Sequence, residues 1–270
     1  MARSALRAAG RGVLVALALV AGLVVVRVLT ALPGYDRTRR ATIALQGLSR
    51  ITLRALGIRV LSDGSVRSGP SLVVANHVCW LDVLVLAAAC PVVPLVDESV
   101  LQRPIGPMVS RFGALSVRPG VSRDLSAAVQ HVISALRGGH RVLVFPDAHP
   151  GPASEPFSPA AFQAAVDAAV VVSPVALRYS VPPAGSIDPD DILGSLWRIL
   201  RSEPLMVRVT WLPVIPAVAG PGHRAGHRAA AAMRTEWAID RALNPRALTT
   251  TASPLPAVVP DRAPALALAS

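Results

Sequence analysis

Two short segments carry residue types that could do acid–base chemistry. The first is NHVCWLD, residues 76–82, with a histidine and an aspartate five positions apart. It follows Ser71–Ala75 (SLVVA), whose apolar character predicts a short buried strand. His77 therefore emerges where a strand hands over to a helix, the edge at which open α/β folds place their sites. An aspartate at this spacing can fold back and accept from one imidazole nitrogen. That fixes the tautomer and leaves the other nitrogen as a base near neutral pH. The plainer alternative is that Asn76 or Asp82 caps the helix and His77 packs. No serine stands in a GxSxG context, so a histidine base here acts on a substrate hydroxyl rather than completing a triad.

The second segment is FPDAH, residues 145–149, directly after the apolar run RVLV. Asp147 and His149 stand at the C-terminal edge of that predicted strand. As metal ligands they are short of company, because the nearest other histidine, His140, lies on the far side of the strand. A polar turn is the simpler reading. Between the two segments, Arg118 closes a predicted strand, Gly113–Val117, and precedes Pro119-Gly120. An arginine held at a strand end is a candidate anion clamp; in an arginine-rich chain, a surface arginine is the alternative.

The elements that must position these residues follow an alternating pattern. Helices are predicted over Asp82–Ala89, Ser158–Ala168 and His227–Leu243. The clearest begins after Ser122, a plausible N-cap, and ends at Gly138-Gly139. There Leu125, Ala128, Val129, Val132, Ile133 and Leu136 repeat with helical period. Strands are predicted over Ser71–Ala75, Gly113–Val117, Arg141–Phe145, Val170–Tyr179 and Leu205–Leu212. Strands alternating with helices predict one α/β domain, with a mainly parallel central sheet flanked by helices.

The ends of the chain differ from its middle. Arg3, Arg7 and Arg11 precede an uncharged apolar run, Gly12–Val26, which resumes after Arg27 up to Pro33. With Arg27 reaching to an interface, the run comes to about 20 residues, roughly one bilayer. Residues 1–35 are thus expected to be a membrane-anchoring helix; a cleaved signal peptide is the alternative, without a clean A-x-A site. Residues 36–56 read as a basic amphipathic helix, with Leu45, Leu48, Ile51 and Leu56 on one side. Such a helix can lie in the headgroup layer or pack on the domain. The catalytic domain is expected over 36–245. Residues 246–270, rich in alanine and proline, are expected to be disordered.

Composition narrows the partners. The chain has 270 residues, 52% of them hydrophobic, yet a net charge of +11, and all 27 basic residues are arginine. Such a chain suits nucleic acid or an anionic membrane surface. Aromatic residues are only 4%, and no nucleic-acid motif is present, so the membrane is the better reading. The two cysteines, Cys79 and Cys90, show no CxxC or metal spacing and fit a reducing compartment.

In this order the motifs resemble the glycerolipid acyltransferase family that includes 1-acylglycerol-3-phosphate acyltransferase. That family's pattern is NHxxxxD, an arginine after a short strand, FPEGT, and a proline before a late strand. Here they stand as NHVCWLD, Arg118, FPDAH, and SPVALRY with Pro174. The resemblance runs from about residue 45 to 215. It implies transfer of an acyl chain from acyl-CoA or acyl carrier protein to a lysolipid hydroxyl. In that transfer His77 is the general base, oriented by Asp82. Arg118 grips the acceptor headgroup, helped by the turn Asp147, Ala148 and His149, while Asn76, Pro146 and Pro174 give support. It implies no metal and no prosthetic group, and a catalytic face turned to the cytosol, where the thioester donor is. The sequence departs from the pattern where Asp147-Ala148-His149 replaces Glu-Gly-Thr. It departs again where Asp97-Glu98 replaces a basic residue in a VAK-type stretch. Some relatives acylate lyso-ornithine lipid, and PVALRY resembles those equally. A catalytically weakened lipid-binding relative is the alternative to an active transferase; a lipid hydrolase has no residue that asks for it.

Overall fold

The computed structural model describes residues 2–31, 33, 36–103, 105–118, 122–146, 157–180, 192–217 and 224–244. Asp147, Ala148 and His149, and the Ala/Pro-rich tail, lie outside the described residues.

Among the described residues, seven strands form one sheet: β1 (Ile58–Asp63), β2 (Ser71–Ala75), β3 (Val93–Asp97), β4 (Leu115–Val117), β5 (Arg141–Val144), β6 (Val171–Tyr179) and β7 (Leu205–Trp211). Their order is β1-β7-β6-β2-β5-β3-β4. Every pair is parallel except β6 with β7. β2 sits at the centre and is buried throughout, as a parallel strand covered on both faces must be.

The helices divide between the two faces. On one lie α1 (Ala2–Ala31), α2 (Arg37–Leu56), α3 (Leu81–Ala89) and α8 (Ile192–Arg201), whose buried residues share a core with Val73, Val175 and Leu177. On the other lie α6 (Ser122–Arg137), α7 (Gln163–Ala168, entered through a 3-10 turn at Pro159–Phe162) and α9 (Arg224–Leu243), packed over Leu72, Val74 and Val172. Alternate residues of β2 and β6 feed opposite cores, the period of two that a strand imposes. Two short helices, α4 (Glu98–Gln102) and α5 (Gly106–Arg111), connect β3 to β4.

The sequence expectations miss β1, β3 and α8. β1 is an edge strand with one buried residue, so it carries no clear alternation. β3 holds a proline at its second position, which demotes a strand on sequence grounds. The strand expected from Gly113 starts only at Leu115, because Gly113 takes φ +80° in the turn after α5, a conformation that favours glycine.

α2 is a packed helix: Ala41, Ala44, Leu45, Leu48, Leu53 and Leu56 are buried, whereas Ile51 is 53% exposed. Asp36 caps its start by accepting from the Thr38 and Arg39 N–H groups. α1 lies along α2, and Gly22 lets the helices approach so closely that a Cβ there would meet Leu48 at 2.7 Å. Within α1, Arg7–Ala31 is long and apolar enough to cross a membrane by length and composition, with mean hydropathy 2.7 in its most apolar part and only 22% of that part buried.

Candidate active site

The turn after β2 is built around one buried carboxylate. Asp82 is the second residue of α3 and has 0% exposure. Its Oδ2 accepts the backbone N–H of Val78 at 2.5 Å and of Cys79 at 2.8 Å. The same oxygen lies 3.0 Å from His77 Nδ1. Its Oδ1 accepts the Tyr179 hydroxyl at 2.6 Å, with the Cys79 thiol at 3.9 Å. A carboxylate taken wholly out of water needs such donors to stay charged. Since Asp82 accepts, Nδ1 of His77 donates, and Nε2 is the basic nitrogen. The imidazole stacks on Phe145 at the end of β5, ring centroids 4.4 Å apart and planes at 24°. Its side chain keeps 21% exposure, so the ring, held by Asp82 at its edge and Phe145 on its face, is still reachable.

Asn76 pins this turn to the neighbouring strand. Its Oδ1 accepts the Leu177 N–H at 2.8 Å, and its Nδ2 donates to the Leu177 carbonyl at 3.1 Å. Tyr179 is two residues further along β6 on the same face, which brings its hydroxyl to Asp82. Pro146 is buried after β5. Pro174 pairs in register with Val74, and its carbonyl accepts the Leu212 N–H.

Two neighbouring groups are held protonated. Burial, and then the charge of Asp82, push the Cys79 thiol up to about 12. The same causes raise Tyr179 well above the ordinary phenol value. At neutral pH, then, Cys79 is no thiolate nucleophile, and Tyr179 is a hydrogen-bond donor.

Arg118 lies elsewhere on the same edge. Three strand steps separate β2 from β4, about 14 Å at the usual spacing. Arg118 Nε and Nη2 each approach Glu98 Oε2 at 2.7 Å. The pair lines an open cavity of about 230 Å³ with Ser116, Ala128 and His131. Glu98 stands where the resemblance leads one to look for a basic residue. His140 is at the opposite edge of the sheet, 3.0 Å from Asp36 Oδ2.

The family model described as Acyltransferase matches residues 57–178. The lyso-ornithine lipid O-acyltransferase of Pseudomonas aeruginosa is 34% identical over 195 residues, covering 69% of this chain and 75% of that one. The 1-acyl-sn-glycerol-3-phosphate acyltransferase of Neisseria gonorrhoeae is 30% identical over 195 residues, covering 68% and 75%. This chain belongs to the acyltransferase family. The crystal structure of the 1-acyl-sn-glycerophosphate acyltransferase of Thermotoga maritima superposes with a TM-score of 0.64 at 16% identity, covering 93% of this chain and 98% of that one. That likeness shows a shared fold.

Sequence reasoning on this acyltransferase overlooked Tyr179 and Phe145 as a stacking partner, and it marked Glu98 as an acid in place of a base without its pairing to Arg118. Tyr179 left a usable signal. The period of two along PVALRY places Val175, Leu177 and Tyr179 on one face, and a lone phenol ending that apolar face asks for a partner. The pairing of Glu98 with Arg118 left none, because it joins the start of α4 to the end of β4 across 20 residues.

Proposed function

We propose that this acyltransferase moves a fatty acyl chain from an acyl thioester to the hydroxyl of a lysolipid in a membrane, with His77 as general base. The supporting observation is the 3.0 Å contact from His77 Nδ1 to a fully buried Asp82, which orients Nε2 for proton transfer. Nε2 takes the acceptor's hydroxyl proton as the oxygen attacks the thioester carbonyl. The tetrahedral intermediate collapses, the C–S bond breaks, and the imidazolium returns the proton to the leaving sulfur. An ester and a free thiol result. Asp82 stabilises the imidazolium between these steps, and Tyr179 holds Asp82 in place. No metal or prosthetic group is needed for this chemistry. An acyl-cysteine route through Cys79 is disfavoured by its raised pKa.

Membrane association is supported by the exposed apolar side of α1, where Val13, Leu14, Leu17, Val20, Val24 and Val28 are each more than half exposed. Acyl-CoA and acyl carrier protein are cytosolic, so the catalytic edge faces the cytoplasm in this reading.

The Arg118–Glu98 pair supports one choice of acceptor. A phosphate monoester would meet a guanidinium already paired with a carboxylate. A headgroup carrying one carboxylate and one ammonium, as an ornithine does, can engage both members. This favours lyso-ornithine lipid over lysophosphatidate. The test incubates membranes containing the protein with labelled acyl-CoA or acyl carrier protein thioester and a panel of lysolipids, beside His77→Ala. A diacyl product made by the wild type and lost in folded His77→Ala supports the reading. Product that persists without His77 overturns the base assignment, and no product with any acceptor leaves a lipid-binding protein.

A further inference from the structure

α8 has two unlike sides. Ser195, Ile199 and Leu200 are buried, whereas Leu193 is 80% and Trp197 55% exposed, and Arg198 and Arg201 also face outward. The Arg201 guanidinium lies 5.7 Å from the Trp197 ring centroid. An exposed leucine and tryptophan one helical turn apart, flanked by arginines, is the side-chain set of a helix lying at a bilayer interface.

Its place in the fold gives this a purpose. Trp80, inside the NHVCWLD turn, donates its indole N–H to Ser195 Oγ at 2.7 Å. At the other end of α8, Arg11 Nη1 donates to the carbonyls of Leu200 at 3.3 Å and Ser202 at 2.8 Å, and Arg7 pairs with Glu203. β7 then begins beside the end of β6, with Val207 opposite Tyr179. α8 thus bridges the start of the apolar helix α1 and the catalytic turn, at the edge where His77 opens. α1, which the end of α8 contacts through Arg7, Arg11 and Gly12, also exposes apolar residues, Val13, Leu14 and Leu17 among them, and the arginines of α8 complement anionic lipid.

We infer that α8 is a second membrane-contact surface, which seats the catalytic edge in the headgroup layer of an anionic bilayer. The inference rests on the membrane-acting reading above, but α8 can fail without α1 failing. A lysolipid hydroxyl lies just beneath the headgroups, so a site flanked by a helix at that depth meets it without drawing the lipid into water.

The two native cysteines make the test clean. Both are buried, with thiols raised to about 12 for Cys79 and about 11 for Cys90, so an introduced exposed cysteine takes a maleimide dye selectively. Full-length Leu193→Cys and Trp197→Cys report on α8, Leu17→Cys on α1, and Ser134→Cys on α6 across the sheet. Each carries an environment-sensitive dye and is reconstituted into vesicles of three parts phosphatidylcholine to one part phosphatidylglycerol. Dye emission at 193 and 197 is expected to rise severalfold over that at 134, and doxyl-labelled lipid is expected to quench it. If the dye at 17 enters the bilayer while those at 193 and 197 stay in water, the inference falls and the anchor stands. If all three stay in water, the membrane reading falls with it. Dyes at 193 and 197 that neither water-soluble nor lipid quenchers reach would mean a protein covers α8, which also overturns it. An α8 signal unchanged on phosphatidylcholine alone removes the role given to Arg198 and Arg201.

Discussion

The His77 end and the Arg118 end of the candidate catalytic edge are built to different standards. At the first, one buried carboxylate gathers two backbone N–H groups, an imidazole and a phenol, and Asn76 ties the turn to β6. At the second, an arginine with 53% side-chain exposure meets one glutamate with 33%. Removing any partner at the first end leaves a buried polar group unsatisfied; doing so at the second hands the group to water. The His77 end is therefore over-determined. The Arg118 end can change its charge pattern at little cost in stability, and on the function proposed above that would let one scaffold serve acceptors with different headgroups.

Three substitutions probe that contrast. The largest effect is expected for Asp82→Ala, which removes the orienting carboxylate and orphans the Val78 and Cys79 N–H groups. The kcat should fall by about 10²–10⁴, with a lowered thermal midpoint, measured by labelled-acyl transfer and by thermal melts. A loss below about tenfold would mean the acid is only a turn cap, as its backbone bonds alone allow.

Next comes Tyr179→Phe. It deletes one hydrogen bond to an ionised group, worth about 1.5–3 kcal/mol. If roughly half of that is felt in the transition state, kcat falls about three- to tenfold while KM for the thioester stays put. Asp82 then keeps its backbone donors and the imidazole but loses the phenol. An unchanged kcat with a lower melting temperature would make Tyr179 packing alone.

The smallest effect is expected for Glu98→Gln. An exposed ion pair is worth about 0.2–1 kcal/mol, so the preference for a zwitterionic over a phosphate-bearing acceptor should shift by no more than about fivefold. The thermal midpoint should hardly move. Acceptor competition in mixed micelles reads this, and an unchanged ratio removes Glu98 from recognition.

Much of the scaffold was legible from local pattern. SLVVA, RVLV and the helix from Ser122 to Arg137 stand where their periods place them, because burial of one strand or one helical stripe is written along the chain. The tight contact of His77 with Asp82 was legible for the same reason: five residues of turn and helix start suffice to close it. β1 was not, since an edge strand with one buried residue carries no clear alternation; α8 was passed over although its buried and exposed residues fall on two sides of the helix.

The chain alone therefore determined an apolar N-terminal helix, an α/β alternation and a histidine–aspartate pair at a strand's exit, all consequences of near-neighbour spacing. Tertiary structure decided the rest. Register between β2 and β6 brought Tyr179 to Asp82. The end of β5 turned Phe145 onto the imidazole. The adjacency of β3 and β4 paired Glu98 with Arg118, and the Trp80–Ser195 bond set α8 beside the site. Each of these joins segments distant in sequence, and only the packing of the sheet sets such distances.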